Sequence, residues 1–334
     1  MKIAINGFGR IGRMVFRAFL EKKNSKYKDI EIVAVNDLAP LETSMYLLKY
    51  DSVHGILNEK IHADENSFSV GATRVKYFSE RCPENLPWKD LGIDIVLECT
   101  GVFKTKEKSQ VHLDAGAKKV IISCPANDAD NTLVVGVNNS SIDKKRDKII
   151  SCASCTTNCL APAVKVIHET FEIESGFATT IHSYTADQRL IDSTHSDLRR
   201  ARAAAQNIIP TTTGVSKAIA QIFPELNGKL SALSIRVPTP NVSLVEFMFN
   251  TSKKLSVEAI NDAIKKYSDG VLKGILSYTD DSVVSSDLNH SSFSSIADLQ
   301  LTRVPDEKFG HIMLWYDNEW GFSNRMLDAS LEIF

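Results

Sequence analysis

The first apolar run, Lys2 to Ile5, is a short strand, and a helical rhythm follows closely: Val15, Phe16, Phe19 and Leu20 form two adjacent pairs four residues apart. IEIVAVND is a second apolar strand, and it ends in Asp37. Two more runs, DIVLECTG at 94–101 and KKVIISCPA at 118–126, also finish in small or polar residues. Strands alternating with helices in this way predict an α/β fold with a doubly wound parallel sheet of Rossmann type.

Beyond Cys155 the texture changes. LAPAVKVIHETF reads as a helix with Leu160, Val164, Ile167 and Phe171 on one face. GFATTIHSYT, LSALSIRVPTP and NVSLVEFMFNT are rich in β-branched and aromatic residues, which predicts one broad, mostly antiparallel sheet in an α+β catalytic domain. SVEAINDAIKKYSDG is another helix, with Ser256 as its N-cap. SVVSSDLNHSSFSS is serine-rich, but Val283, Val284, Leu288 and Phe293 argue against a linker. SLEIF closes the chain as part of a terminal helix begun near Asn324. The change of texture sets a domain boundary beside the cysteines, with residues 1–153 on one side and 154–318 on the other.

The chain has 334 residues, enough for one large or two ordinary domains, with 43% hydrophobic and 24% charged residues. With a net charge of −2 and no long basic run, nucleic acid is not expected as a partner. Asn6, Arg10 and Arg13 interrupt the N-terminal apolar stretch, and no run approaches the ~18 residues of a membrane span. No membrane association is therefore expected. Six cysteines in no even framework suggest a cytoplasmic, reducing location.

The loop NGFGRIG places Gly7, Gly9 and Gly12 in a G-x-G-x-x-G frame between strand and helix. In a dinucleotide fingerprint the first glycine permits the sharp turn, the second lets backbone approach a pyrophosphate, and the third lets helix and strand pack closely. The helix N-terminus then offers its N–H groups and positive dipole end to phosphates. Asp37, after the second strand, stands where an acid accepts hydrogen bonds from the adenosine ribose. Thr100, Gly101 and Ser123 lie at carboxyl ends of later strands, where such sheets bind ligands.

Half of the cysteines, Cys152, Cys155 and Cys159, crowd into SCASCTTNCLAP. A zinc site would need a second ligand pair, and none follows. Cys155 and Cys159 are one helical turn apart, a poor geometry for a disulfide. A nucleophile explains more: DKIISCAS is a strand and the segment from Thr156 is helical, so Cys155 sits at a helix N-terminus that favours thiolate. His182, in TTIHSYT, is the best base, and Cys159 reads as a small buried hydrophobe. A cysteine beside a nicotinamide site points to aldehyde oxidation through a thioester that a second nucleophile opens.

At this point the chain closely resembles the phosphorylating glyceraldehyde-3-phosphate dehydrogenases, nearly end to end. The motifs are INGFGRIGR, KYDSVHG, ECTGVF, ASCTTNCLAP, HSYTADQ, DLRRARAAAQNIIPTTTG, RVPTPNVS and WYDNEWGFSNRM. The resemblance implies oxidation of glyceraldehyde 3-phosphate to 1,3-bisphosphoglycerate, with Cys155 as nucleophile and His182 as base and aid to thiolate formation. It implies that Ser154, Thr156, Thr213 and Gly214 receive inorganic phosphate through hydroxyls and a backbone N–H. Thr185 and Arg236 would hold the substrate's phosphate, with Arg200 nearby. Arg10 and Ile11 would contact the pyrophosphate and nicotinamide of NAD, Asn318 the carboxamide, and Arg81 the adenine through its backbone. Of the crowded Arg199, Arg200 and Arg202, at least one is expected in a salt bridge or subunit contact. The family likeness further implies a homotetramer, an S-shaped loop over SYTADQRLIDSTHSDLRRAR, and a C-terminal helix, about 319–334, packing back on the first domain.

Two departures from the family pattern matter. Cys152 replaces a customary asparagine, and Ser193-Thr194 stands where NAD-specific members often carry Leu-Pro. Asp37 and Leu38 remain NAD-like, so NAD is expected with some use of NADP. The alternatives to this reading are erythrose-4-phosphate dehydrogenase, which Thr185 and TTTG disfavour, and an added non-catalytic binding role.

Overall fold

The computed structural model describes all residues from Met1 to Phe334. The chain divides into two compact units, Met1–Ala153 with Ser323–Phe334, and Ser154–Phe322.

The first unit is built on a nine-stranded sheet with Lys2–Asn6 near its centre. Glu31–Asn36 pairs with it in parallel on one side and Ile95–Glu98 on the other. Lys119–Ile122 and Ile149–Ser151 extend the parallel ladder beyond Ile95–Glu98. The order reverses at Lys2–Asn6, so this is the switch point where open α/β sheets bind ligands. Register brings Asn36, Asn6 and Glu98 side by side at the carboxyl ends. Beyond Thr73–Phe78 the edge turns antiparallel, through Ser67–Val70 and Ile61–Ala63. The middles of the central strands are apolar, as buried parallel strands are; Ile3, Ala4, Ile5, Val96 and Leu97 are completely buried.

Ser323–Phe334 joins this unit through polar contacts with the first helix and the turn after it. Lys22 Nζ donates to Asn324 Oδ1 at 2.6 Å, Tyr27 OH to Asp328 Oδ1 at 3.1 Å, and Lys26 pairs with Asp328 at 2.6 Å. The helix itself, Trp320–Ile333, starts a turn earlier than the apolar pattern indicates. The Asp317 carboxylate accepts from the N–H groups of Glu319 and Trp320, and so caps it from upstream.

The second unit carries an eight-stranded mixed sheet. Ile173–Ser183 pairs in parallel with Leu230–Val237 and antiparallel with Ser243–Thr251, which in turn runs antiparallel to Phe309–Tyr316. Antiparallel pairings predominate, as the alternating patterns predict. The helix Cys155–Phe171 packs against this sheet and against the helix Val257–Asp269. The latter is capped by Ser256, whose hydroxyl accepts from Ala259 N–H at 3.1 Å.

Candidate active site

Cys155 is the first residue of the helix Cys155–Phe171. Just ahead of it Ala153 has φ 56°, a left-handed conformation that turns strand sharply into helix. Ser154 is the N-cap: its Oγ accepts from Thr157 N–H at 3.1 Å and bonds the Thr157 hydroxyl at 2.8 Å. The helix therefore aims its positive end at the Cys155 sulfur. Across from it, His182 lies near the end of Ile173–Ser183, buried, with Nε2 3.5 Å from Cys155 Sγ.

Parallel pairing sets His182 directly beside Arg236. Arg236 Nη1 donates to Ser183 O at 3.0 Å, and His182 Nδ1 lies 2.7 Å from the same carbonyl. With its proton on Nδ1, the imidazole donates to that carbonyl and turns the Nε2 lone pair toward the thiol. Burial, followed by the charge of Arg236, holds the His182 pKa down to about 3. Burial pushes the Cys155 thiol up, while the Arg236 charge and hydrogen bonds from Thr156 and the helix N-terminus pull it back down. The imidazole is thus neutral and able to accept a proton, and the nearest fixed positive charge is Arg236.

Tyr316 completes this cluster, and neither periodicity nor motif chemistry singles it out. Its hydroxyl lies 2.9 Å from both Thr156 Oγ1 and Thr180 Oγ1, joining the helix to two strands. Its ring meets the His182 imidazole edge-on at 5.9 Å. Thr180 and His182 are two residues apart and so share one strand face. The Thr156 hydroxyl is thus buried and engaged with Tyr316.

The other polar residues fall into distinct settings. Thr213 accepts weakly from Val215 N–H at 3.4 Å, and Gly214 is the exposed N-cap of the helix Val215–Ile222. Thr185 is half-buried, its N–H 3.3 Å from Gln188 Oε1. Arg200 is occupied on all three nitrogens: Nε to Thr211 Oγ1 at 2.9 Å, Nη1 to Asp187 at 2.6 Å, and Nη2 to Thr212 O at 3.2 Å. Arg202 pairs with Asp192 at 2.7 Å. Asn318 is buried, and its Oδ1 accepts from the Ser183 and Ser243 hydroxyls, each at 2.9 Å. These two serines fix which way the amide faces, so its N–H₂ end points away from them.

In the first unit, Gly7, Gly9, Asp37, Arg81 and Thr100 line a single cleft of about 320 Å³, along with Asn6, Asn36, Cys99 and Phe103. Gly7 has φ 92°, and a Cβ there would come 2.6 Å from Thr100 N. A Cβ on Gly12 would lie 2.1 Å from Gly7 O, so the helix can approach the turn only without one. A Cβ on Gly9 would meet nothing within 4 Å and would project into open space. The fold therefore requires Gly7 and Gly12 to lack a side chain, whereas it leaves the Gly9 backbone open. Asp37 Oδ2 accepts from Phe8 N–H at 2.6 Å and Oδ1 from Ala39 N–H at 2.8 Å, which holds the carboxylate at the cleft. Arg10 and Ile11 open the helix Arg10–Lys22, and the Arg10 guanidinium pairs with Asp51. Ser123 lies outside the cleft lining, with its N–H on Glu98 O at 3.0 Å. Open backbone at Gly9, a helix N-terminus and a braced acid together fit a dinucleotide.

Residues 1–106 match the family described as glyceraldehyde 3-phosphate dehydrogenase, NAD binding domain, and residues 154–318 match its C-terminal domain. The chain is 52% identical over 333 residues to glyceraldehyde-3-phosphate dehydrogenase of Geobacillus stearothermophilus, covering 100% of this chain and 98% of the relative. It is 52% identical over 331 residues to glyceraldehyde-3-phosphate dehydrogenase 2 of Trichormus variabilis, covering 99% and 97%. With glyceraldehyde-3-phosphate dehydrogenase of Cereibacter sphaeroides the identity is 49% over 331 residues, covering 99% and 98%. On matches that span both of its units, the chain belongs to the glyceraldehyde-3-phosphate dehydrogenase family.

Proposed function

We propose that this chain oxidises glyceraldehyde 3-phosphate to 1,3-bisphosphoglycerate, with NAD and inorganic phosphate, through a thioester on Cys155. The observation that carries the reading is the thiol of Cys155 at a helix N-terminus, 3.5 Å from the unprotonated Nε2 of a buried His182. In the first step the thiol proton passes to His182 Nε2 and sulfur adds to the aldehyde carbon, giving a hemithioacetal. His182 returns that proton to the former carbonyl oxygen, which completes the hemithioacetal hydroxyl, and then takes it back as the carbon gives up hydride. NAD, when bound, supplies the acceptor for that hydride. Cys155 now carries a thioester, and phosphate oxygen attacks its carbonyl carbon. The C–S bond breaks, acyl phosphate leaves, and thiolate is restored.

Arg236 supports the substrate-phosphate role because its Nε is buried and has no hydrogen-bond partner. A buried donor of that kind calls for an anion. Thr213 and Gly214, at the start of Val215–Ile222, and Ser154, at the start of Cys155–Phe171, are the proposed donors to the attacking phosphate. Arg200 is proposed to act on Thr211 and Thr212 rather than on substrate. Asn318 is proposed to hold the carboxamide of NAD. The homotetramer is supported by apolar side chains left exposed in one loop region: Leu190 at 79%, Ile191 at 73% and Leu198 at 81%. None of the six cysteines forms a disulfide, which supports a cytoplasmic location. No helix is long and apolar enough to cross a membrane. Phosphate-dependent reduction of NAD by the purified chain with glyceraldehyde 3-phosphate tests the function. Equal rates with and without phosphate would overturn the phosphorylating reading.

A further inference from the structure

Beneath the cleft of the first unit runs a buried polar chain that the proposed chemistry does not use. Glu98, 1% exposed, ends the strand Ile95–Glu98. Its Oε2 accepts from Asn6 Nδ2 at 2.6 Å and lies 3.1 Å from His112 Nε2. Its Oε1 accepts from Thr100 N–H at 2.7 Å and from the Thr100 hydroxyl. That hydroxyl accepts in turn from Val102 N–H at 3.0 Å, which clamps the turn through Gly101. Asn6 Oδ1 accepts from Asn36 Nδ2 at 2.7 Å, and Asn36 Oδ1 accepts from Glu80 N–H at 2.8 Å. Asn6, Asn36, Glu80, Thr100 and Val102 all line the cleft, so four donors on one carboxylate shape its floor and one wall.

His112 itself lines nothing. It is fully buried on the helix Lys106–Asp114, with Phe103 edge-on at 5.7 Å. Trp88 Nε1 lies 3.2 Å from His112 Nδ1. An indole N–H can only donate, so Nδ1 must be the bare nitrogen and Nε2 carries the proton toward Glu98. Trp88 thereby fixes the tautomer, and His112 supplies the one donor to Glu98 that comes from outside the cleft lining. A buried carboxylate missing one of its donors would draw another group toward itself, and the groups within reach are Asn6 and Thr100.

We infer that His112, oriented by Trp88, is a positioning residue for NAD, acting through Glu98 on Asn6 and on the Thr100–Val102 wall. The inference rests on the assignment of the cleft to NAD. It is tested by titrating NAD into the full chain by calorimetry, with KM measured for both substrates. His112→Phe keeps the ring volume but removes the donor; it raises the Kd for NAD about tenfold or more, the loss expected for a hydrogen bond to a buried charge. KM for NAD rises with it, while KM for glyceraldehyde 3-phosphate stays within about twofold, since the altered contacts lie at the cofactor cleft. His112→Gln restores an N–H₂ donor toward Glu98 and brings the Kd most of the way back, which loss of packing alone would not predict. Trp88→Phe frees the tautomer and gives a smaller rise in Kd. A folded His112→Phe that binds NAD like wild type overturns the inference, as does a His112→Gln as weak as the Phe variant. Should His112→Phe fail to fold, an unchanged Kd in Trp88→Phe overturns it. A wild-type chain that binds no NAD would instead sink the cofactor assignment.

Discussion

Arg236 Nη1 and His182 Nδ1 stand 2.9 Å apart and meet at one carbonyl, Ser183 O, at 3.0 and 2.7 Å. The pairing couples two properties. Burial first and the guanidinium charge second keep the neighbouring imidazole neutral, and the same charge pulls the Cys155 thiol down against burial. Arg236→Leu should therefore move the inflection of Cys155 alkylation to higher pH. It should also cost about ten- to a hundredfold in kcat/KM with glyceraldehyde 3-phosphate, the range for a lost hydrogen bond to a charged group. With unphosphorylated glyceraldehyde the loss should be smaller, because there is no phosphate to meet. Equal losses on both aldehydes would mean that Arg236 only braces the strand pair.

His182 is predicted to matter as a proton acceptor. A proton moving from Cys155 Sγ to His182 Nε2 leaves opposite charges 3.5 Å apart, each stabilising the other. His182→Asn removes that internal acceptor, so alkylation should need higher pH and acylation should slow by about 10²- to 10⁴-fold. The same variant has a stability signature. In the folded chain His182 is held near pKa 3, well below its ordinary 6.5, so the unfolded chain takes up the proton first. Stability contributed by this site is thus present above about pH 6.5 and lost as pH falls toward 3. Thermal unfolding followed across that window should decline less steeply in His182→Asn than in wild type. An unshifted alkylation profile would remove His182 from the acceptor role.

Cys155→Ser should abolish aldehyde oxidation and leave NAD affinity within a few-fold, because a hydroxyl is a far poorer nucleophile near neutrality. Limited iodoacetamide should label Cys155 ahead of the other partly buried thiols. Burial pushes Cys124 up to about 11 against the Lys104 charge, and it raises Cys99 well above its ordinary value against a Ser123 hydrogen bond. Peptide mapping after brief labelling settles the order. Faster modification of Cys99 or Cys124 would contradict the electrostatic account of Cys155.

Local signals carried most of this protein into view. The glycine frame, the apolar strands and the cap at Ser256 are written in short stretches, and each names its own geometry. Tyr316 was not legible, because its role consists of meeting Thr156 and Thr180, 160 and 136 positions away in the chain. The same holds for Arg200. Its residue type suits a phosphate, but Asp187, Thr211 and Thr212 are folded back around it. The antiparallel edge at Ser67–Val70 and Ile61–Ala63 is four and three residues long, too short for periodicity to register. The apolar pattern alone put the start of the terminal helix near Asn324, because the capping carboxylate, Asp317, sits outside that pattern; the family resemblance, with about 319, came within a residue of Trp320.

Cofactor choice turns on Asp37. Its carboxylate is braced by Phe8 N–H at 2.6 Å and Ala39 N–H at 2.8 Å, so the charge stands fixed at the cleft before any ligand arrives. Such an acid accepts hydrogen bonds from a ribose 2′-hydroxyl and repels a 2′-phosphate. Ser193 and Thr194, which stand where NAD-specific members often carry Leu-Pro, are both exposed. NAD preference with measurable NADP activity is the expected wild-type behaviour. Asp37→Ala should narrow the ratio from both directions: NAD loses its ribose contact, and NADP no longer meets a like charge. Because Phe8 N–H also loses its acceptor, the glycine loop should loosen, and the fall in NAD efficiency should exceed the gain with NADP. Measuring kcat/KM for both cofactors in wild type and variant decides the matter. A wild type that prefers NADP, or a variant with an unchanged ratio, would show that the fixed charge at Asp37 does not set selectivity.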